Sequence, residues 1–364
     1  MKQTVKIVFV LSVAVTLLLC GCTGIGPGTV ARDRFDYTTA ISDSWKTQML
    51  LNMVKTRYGD APVFLDVASV INQHAVEQEF DLGVSGEFYK RGAGEPSFIN
   101  PNVGAKGRYT DRPTITYSPL MGERFARSLM TPIPPAALLN LVQSGFRVDL
   151  VFRGCVHSVN GVRNRSGGEA MPRVADPEFY PLLEKMRRIQ ASGTIGLRLQ
   201  KVDDKETIVM VFRSEVDETI EANIREVRRI LGLDPHARVF KVVYGSLPAS
   251  DKEIAILSRS ILEIIIDLAS YIEVPSVHVA EKRVHPTFKD EPVMGVPVTP
   301  LIRVNSAPHK PADAFVSIRY SGHWFWIDDK DLPSKQVFSF LMFVFTLTEI
   351  GVKEGAPIVT IPAG

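Results

Sequence analysis

The chain has 364 residues, a length that suits one large domain or two ordinary ones. Its 42 Lys and Arg residues nearly match its 40 Asp and Glu residues, and Lys2 and Lys6 at the N-terminus account for the excess. A body without net charge lacks the basic surplus that nucleic-acid binding requires, so we expect no nucleic-acid partner.

Residues 1–21 have the pattern of an export signal. The positively charged start is followed at 7–19 by an uncharged run, which is shorter than the roughly 20 apolar residues of a membrane-spanning helix. Leu19, Gly21 and Cys22 then supply a leucine, a small residue and a cysteine at positions −3, −1 and +1. In these residues the segment resembles the signal of a bacterial lipoprotein.

The resemblance implies that residues 1–21 are a signal peptide and that Cys22 is lipidated. Each buried methylene of an acyl chain contributes about 0.8 kcal/mol, so several chains would hold the protein permanently on a membrane. Thr23 stands where an Asp retains such proteins at the inner membrane, which implies the outer membrane of a Gram-negative cell, with the body facing the periplasm. One alternative is lipidation of Cys20, for which the large Leu19 would stand at −1. The others are an ordinary secretory signal and a buried N-terminal helix.

Residues 22–33 contain glycines and a proline and predict a flexible tether, which spans roughly 18 Å as a coil. Cleavage and acylation would leave Cys155 as the only cysteine of the body. We therefore expect no disulfide, although the compartment permits one, and a fold that depends on its apolar core.

The spacing of apolar residues predicts an α+β fold, with antiparallel and mixed sheets packed against amphipathic helices. We divide the body into an N-terminal α+β region (34–160), a central α/β block (174–275), a proline-rich extended segment (276–313) and a C-terminal region (314–364). The C-terminal region is expected to pack on the body.

In the N-terminal region, Ile41, Trp45, Met49 and Met53 repeat every four positions and predict a helix over 38–57. Strands are expected at 62–71, where a helix is the alternative, and at 80–88, 114–118 and 146–156, the first three as an antiparallel meander. Loops are expected at 90–106 and 158–173. Two short helices are expected, one through Phe125 and Leu129 and one from Pro134 to Gly145.

The central block is predicted to follow the order α-β-β-α-β-α. Ser250 and Glu253 have the spacing of a capping box, which predicts the start of the longest helix, 251–272. The other elements expected there are a helix from Asp176 to Gly193, strands at 195–199, 208–212 and 239–244, a turn at Asp203-Asp204, and a helix over 220–231 ended by Gly232.

The C-terminal region predicts a β-hairpin with its turn at Ser321-Gly322, a helix capped by Asp331, and a last strand at 357–362. The apolar run at 337–347 is too short to cross a bilayer, so we expect a buried helix there.

Residues 110–135 and the stretch GHWFWIDDKDLPSKQVFSFLMFVFTLTE (322–349) are similar to a family of bacterial envelope proteins without an assigned function. This resemblance implies no activity and supplies no catalytic residues. The order of the central block loosely resembles the small α/β ring-building modules of secretion and pilus machinery, which is an analogy of fold alone.

Two clusters could carry chemistry. Cys155 and His157 are two apart on the predicted strand and would face the same side, as a thiol–imidazole pair requires, but a core cysteine beside a histidine is the simpler interpretation. Asp328, Asp329 and Asp331 could hold a hard cation, but a turn and a helix cap explain them without one. We therefore predict no catalytic residues, no metal site and no cofactor.

His323, Trp324 and Trp326 form the densest aromatic patch and are the candidate partner surface. On a strand, the two tryptophans share one face and His323 lies on the other. They would form a stacking surface for a glycan, a peptide or another chain, or belong to a hairpin packed by one face on the last helix. A second patch, Arg147, Arg153, Arg163 and Arg165, could meet lipid phosphate or an anionic glycan, but is more simply a solvated face.

We thus expect a membrane-anchored, extracytoplasmic, non-enzymatic lipoprotein that binds or assembles an envelope protein or glycan. Two alternatives stay open: an enzyme acting on envelope polymers through Cys155 and His157 or scattered carboxylates, and a carrier of a small apolar ligand. The HExxH, GxSxG and SxxK motifs of common hydrolases do not occur in the sequence.

Overall fold

The computed structural model of the chain describes residues 25–71, 74–85, 100–111, 114–168, 172–202, 205–287, 292, 298–346 and 359–362. The expected signal peptide, Cys22 and the turn at Asp203-Asp204 lie outside them. Within them the protein has the predicted α+β fold, with antiparallel and mixed sheets against helices.

The described helices are α1 (Ile25–Arg57), α2 (Glu123–Met130), α3 (Pro135–Gln143), α4 (Val148–Cys155), α5 (Phe179–Ala191), α6 (Glu218–Leu231), α7 (Ile261–Ala269), α8 (Ser276–Ala280) and α9 (Leu332–Thr346). The described strands are β1 (Phe64–Ile71), β2 (His74–Ser85), β3 (Asn100–Asp111), β4 (Thr114–Leu120), β5 (Val156–Val159), β6 (Val162–Arg163), β7 (Ile195–Val202), β8 (Lys205–Phe212), β9 (Val239–Tyr244), β10 (Glu253–Ser258), β11 (Asn305–Ala307), β12 (Ala314–Tyr320), β13 (His323–Asp328) and β14 (Val359–Pro362).

A six-stranded mixed sheet in the order β6-β5-β10-β9-β8-β7 forms the centre of the fold. Only its β10–β9 pair is parallel. Helices α5 and α6 pack against each other, and their Phe179 and Ile224 join Phe240 of the sheet in one apolar core. This core extends from Met49 of α1 to Phe345 of α9, so helices near both ends of the described chain contribute to it.

The strand predicted at 146–156 is wrong, because Val148–Cys155 is the helix α4 and only the residues after it form the strand β5. The buried residues Val148, Val151, Phe152 and Cys155 stand at i, i+3, i+4 and i+7, which is the helical period. Valine and phenylalanine favour strands, so the composition of this stretch predicted a strand despite the helical period. Strand β5 belongs to the central sheet, although it lies before residue 160, where the N-terminal region was expected to end.

The long helix predicted at 251–272 is also wrong. Glu253–Ser258 is the strand β10, and the capping box is formed instead by Ser260 and Glu263 at the start of the nine-residue helix α7. Strand β10 lies between β5 and β9 and is buried on both faces, so its sequence lacks the polar alternation of a half-buried strand. The block therefore has the order α-β-β-α-β-β-α.

The N-terminal strands form nested hairpins instead of the expected meander. Strand β1 pairs with β4, and β2 pairs with β3 over 12 residue pairs, a ribbon about 40 Å long. The described part of the loop predicted at 90–106 belongs to β3, from Asn100 onward. Strand β14 pairs with β4, so the C-terminal strand completes an N-terminal sheet.

The described part of the tether predicted at 22–33 is helical, because α1 already begins at Ile25. Pro27 is tolerated there because the first turn of a helix needs no backbone N–H partners. Phe35 is 73% exposed, whereas Met49 and Met53 are buried as predicted. Residues 34–44 of α1 are mostly exposed and span about 16 Å. Among the described residues, no helix is long and apolar enough to cross a membrane.

The C-terminal elements agree with the sequence prediction where they are described. Ser321 and Gly322 both have positive φ, 46° and 86°, as the tight turn of a twisted hairpin requires. Asp331 accepts hydrogen bonds from the backbone and side chain of Ser334 at the start of α9. The proline-rich segment contributes β11 as a third strand beside the hairpin, and it also contains the helix α8.

Candidate functional site

The predicted tryptophan pair lies on the outer face of a three-stranded sheet with β13 at its centre. Trp324 is flanked across the sheet by Ala307 and Arg319. Both tryptophans are half-buried. Since they are two residues apart on one strand, their Cα atoms are about 6.6 Å apart and both rings belong to one surface.

Apart from Ala307, the neighbours of the tryptophans are polar. Asn305 and Ser317 flank Trp326 in the register of the sheet. The ammonium group of Lys310 lies 5.5 Å from the centre of the Trp324 ring, and Arg319 is exposed beside it. The surface thus combines two aromatic rings with hydrogen-bond donors and acceptors. We call these six residues the tryptophan face: Asn305, Lys310, Ser317, Arg319, Trp324 and Trp326.

The opposite face of the same hairpin packs into the core. Phe325 and Ile327 are fully buried, and Val316 and Ile318 of β12 are buried beside them. One face of the hairpin is therefore used for packing, as the simpler interpretation predicts, while the tryptophan face points outward.

His323 lies on this inner side, away from the tryptophan face. Its ring packs edge-on against His278 with 4.7 Å between ring centres, and a 2.7 Å hydrogen bond joins His278 Nδ1 to the hydroxyl of Tyr58. Nδ1 of His323 is buried without a hydrogen-bond partner among the described residues. Burial, and then the neighbouring His323, lower the pKa of His278, and burial raises the pKa of Tyr58 to about 12.

Sequence analysis missed this cluster because Tyr58 and His278 are 220 residues apart. The end of α1 and the start of α8 meet only in the folded chain. No local pattern around either residue indicates the contact.

Cys155 and His157 do not form the expected pair on one strand. Cys155 is the last residue of α4, has no exposed surface, and burial raises the pKa of its thiol to about 12. A thiol is nucleophilic as the thiolate, which this environment disfavours. His157 instead hydrogen-bonds through Nε2 to Glu263 Oε1 at 3.3 Å.

The three clustered aspartates serve the turn and the helix cap. Asp328 accepts a hydrogen bond from the backbone of Lys330, and Asp329 forms an ion pair with Lys335 at 2.7 Å. Asp331 caps α9 through Ser334. Within the part of the chain that the structure describes, no group of three or more His, Cys, Asp or Glu residues is placed to hold a metal ion.

The arginine patch is not one solvated face. Arg147 and Arg163 are exposed and pair with Asp149 and Asp176, but Arg165 is buried and pairs with Asp267 at 3.1 Å. The segment predicted as an exposed loop at 158–173 is buried at its base. The prediction was wrong because the sequence shows the charge of Arg165 but not the distant carboxylate that pairs with it.

Two apolar cavities bear on the carrier hypothesis. One of about 40 Å³ lies between α1, β1 and α9, and one of about 10 Å³ lies between α4, α7 and α9. Each is large enough for a few water molecules at most and too small for an acyl chain.

Comparison of the chain with known protein families, with curated proteins and with solved structures finds no match. Any functional assignment therefore depends on the residues themselves and on where the fold places them.

Proposed function

We propose that this protein is an outer-membrane lipoprotein, anchored through Cys22 and facing the periplasm, that binds an envelope glycan on its tryptophan face. The anchor is supported by the Leu19, Gly21 and Cys22 pattern. The glycan site is supported by one observation above all, the pair of tryptophans on the outer face of a sheet whose inner face is packed.

A glycan fits this surface better than an apolar partner. One face of a sugar ring is rich in C–H groups and stacks on an indole, while the hydroxyls around the ring need hydrogen-bond partners. Asn305, Ser317 and Arg319 offer such partners beside the two rings. A purely apolar partner would bury these polar groups without compensation, which is unfavourable.

Binding, rather than catalysis or transport, is favoured by the surroundings of the alternative sites. Cys155 is buried with a raised thiol pKa, which disfavours the thiolate that the thiol form of the enzyme hypothesis needs. The two apolar cavities within the described ranges are too small to hold an acyl chain, so they do not support the carrier hypothesis. An envelope protein remains the second candidate partner, because Lys310 and Arg319 beside Trp324 would also suit an acidic protein surface.

The test is a titration of the purified full chain with soluble peptidoglycan fragments and with lipopolysaccharide core oligosaccharide. We expect Trp324→Ala and Trp326→Ala each to lower the affinity about tenfold, because each removes one stacking ring. Trp324→Phe should retain most of the affinity. Leu247→Ala is the matched control, since Leu247 is an apolar side chain that is 71% exposed elsewhere. Equal affinities of all variants, or no binding of either glycan, would reject the glycan site.

A further inference from the structure

A cleft of about 330 Å³ lies where the end of α1 meets the segment that follows α8. The described residues that line it include Arg57, Lys282, Arg283 and His285, and none of them is acidic. The volume is in the range of small-ligand sites. We propose that this cleft binds a phosphate group, carried by a free small molecule or by a lipid headgroup.

The cleft is preformed on its α1 side. The Arg57 guanidinium donates to the carbonyl oxygens of His285 and Pro286 at 2.7 and 2.9 Å, which ties α1 to the opposite wall. Tyr58 is fixed by its hydrogen bond to His278. A ligand would therefore meet walls already held in place, and less ordering of the protein would be needed on binding.

The rim of the cleft places a cation where the backbone favours glycine. Lys282 has a φ of 58° and follows the end of α8, with its N–H donating to the Val279 carbonyl and the Arg283 N–H donating to the His278 carbonyl. This is the bond pattern of a helix end that usually contains glycine at the position of Lys282. Residues with a Cβ atom are unfavourable in this conformation, so lysine at position 282 makes the fold less stable than glycine would.

The distribution of charge favours a phosphate over a single carboxylate. Lys282 and Arg283 are both exposed at neighbouring positions of the rim. Arg283 pairs with the exposed Glu281 at 3.4 Å, whereas no ion pair joins Lys282 to any residue in the described ranges. A phosphate has enough oxygens for an ammonium and a guanidinium to bind it together, with the planar fork of the arginine bidentate.

The cleft is separate from the tryptophan face. Tyr58 packs against Phe325 and Tyr320, with ring centres 6.0 and 5.3 Å apart, so the cleft adjoins the inner side of the hairpin. The tryptophans are on the outer side. Variants of one site can therefore be tested without removing a residue of the other.

The test is calorimetric titration of the full chain with three probes at matched ionic strength: inorganic phosphate, glycerophosphoglycerol as a lipid headgroup without acyl chains, and acetate. We expect phosphate or the headgroup to bind and acetate to bind at least tenfold more weakly. Binding of phosphate itself would indicate a free phosphate ligand, and binding of the headgroup alone would indicate a lipid.

Lys282→Gly and Arg283→Gln should each lower the phosphate or headgroup affinity about tenfold, because each removes one charge-assisted contact. Lys282→Gly should also leave the melting temperature unchanged or higher, because glycine accepts the positive φ, so its effect on binding cannot come from unfolding. Lys252→Gln, an exposed cation outside the cleft, is the control and should bind as the parent does.

The proposal is overturned if neither phosphate probe binds, if acetate binds as tightly as phosphate, or if the Lys282 and Arg283 variants match the control. Trp324→Ala should bind phosphate normally. A failure of the glycan site and a failure of the phosphate site are thus separate results.

Discussion

Arg259 donates a hydrogen bond from its guanidinium to Asp267 across 2.9 Å, and both side chains are almost completely excluded from solvent. Asp267 also pairs with Arg165, whose guanidinium lies 4.0 Å from the centre of the Tyr271 ring. Arg259 in addition donates to the Gly154 carbonyl at the end of α4. The buried carboxylate of Asp267 therefore links α7 to the segment after β6, and through Arg259 it also links α7 to the end of α4.

Asp267→Asn should destabilise the fold strongly. The substitution removes the carboxylate charge that both buried guanidinium groups contact, and breaking a buried ion pair in this way typically costs about 3–5 kcal/mol of unfolding free energy. Chemical denaturation followed by circular dichroism measures the loss. Asp329→Asn, which breaks the exposed pair with Lys335, is the control and should cost about 1 kcal/mol or less. A similar loss in both variants would mean that the buried group has no special role.

The stability of the protein should fall in mild acid. Burial, and then His323, lower the pKa of His278, and burial also lowers the pKa of His157. As the pH drops through about 6.5, the unfolded chain binds protons that the folded chain resists, so the stabilisation present above this pH is progressively lost.

Replacement of His278 by glutamine should make this pH dependence shallower, because the imidazole is removed. The measurement is the unfolding free energy between pH 7.5 and 5 by denaturant titration. The lower limit lies about 1.5 pH units below the pKa of histidine in an unfolded chain, which is about 6.5. Tyr58→Phe is the matched control, since it removes the hydrogen bond to His278 but keeps the imidazole, and it should retain most of the slope. Equal slopes for His278→Gln and the parent would refute the assignment to His278.

The proposed lipid anchor can be tested at the thiol of a single cysteine. Cells fed labelled palmitate should label the parent chain and Cys20→Ser, but not Cys22→Ser, because only Cys22 has a small residue before it and a leucine at −3. Gel autoradiography of the purified protein gives the answer. Labelling that is lost only in Cys20→Ser would move the anchor to the other register, and no labelling of the parent would remove the anchor from the account.

Local signals in the sequence predicted local structure correctly. Asp331 caps α9, Ser321-Gly322 forms the hairpin turn, and Gly232 ends α6 in the left-handed conformation, because each depends on residues within a few positions of the chain. The fold class and the assignment of residues to the two faces of the hairpin were predicted from the same kind of local pattern, the spacing of apolar residues.

Two short elements were predicted as the wrong type of secondary structure. Strand β10 and helix α4 are short apolar stretches, and buried strands and buried helices have similar compositions at this length. The capping box was predicted at Ser250, but the same Ser-x-x-Glu spacing recurs at Ser260, where the structure has the box. Only the pairing in the sheet decides that residues 253–258 are a strand.

Sites assembled from distant segments could not be predicted. Arg57 and His285 are 228 residues apart, and the buried Arg165 reaches Asp267 across 102 residues. The cleft at the end of α1, where we propose a phosphate site, and the buried ion network depend on these contacts, and no local pattern in the sequence indicates either. The tryptophan face was accessible to sequence analysis because its two central residues are two positions apart on one strand.

The central claim, that the tryptophan face binds an envelope glycan, is tested most directly by nuclear magnetic resonance of the indole N–H groups. The chain has only three tryptophans, Trp45, Trp324 and Trp326, so three signals are expected. We predict that peptidoglycan fragments or core oligosaccharide shift the signals of Trp324 and Trp326 and leave that of Trp45, whose indole nitrogen is buried, unchanged. No shift of Trp324 and Trp326 at saturating glycan, or equal shifts of all three signals, would contradict the claim.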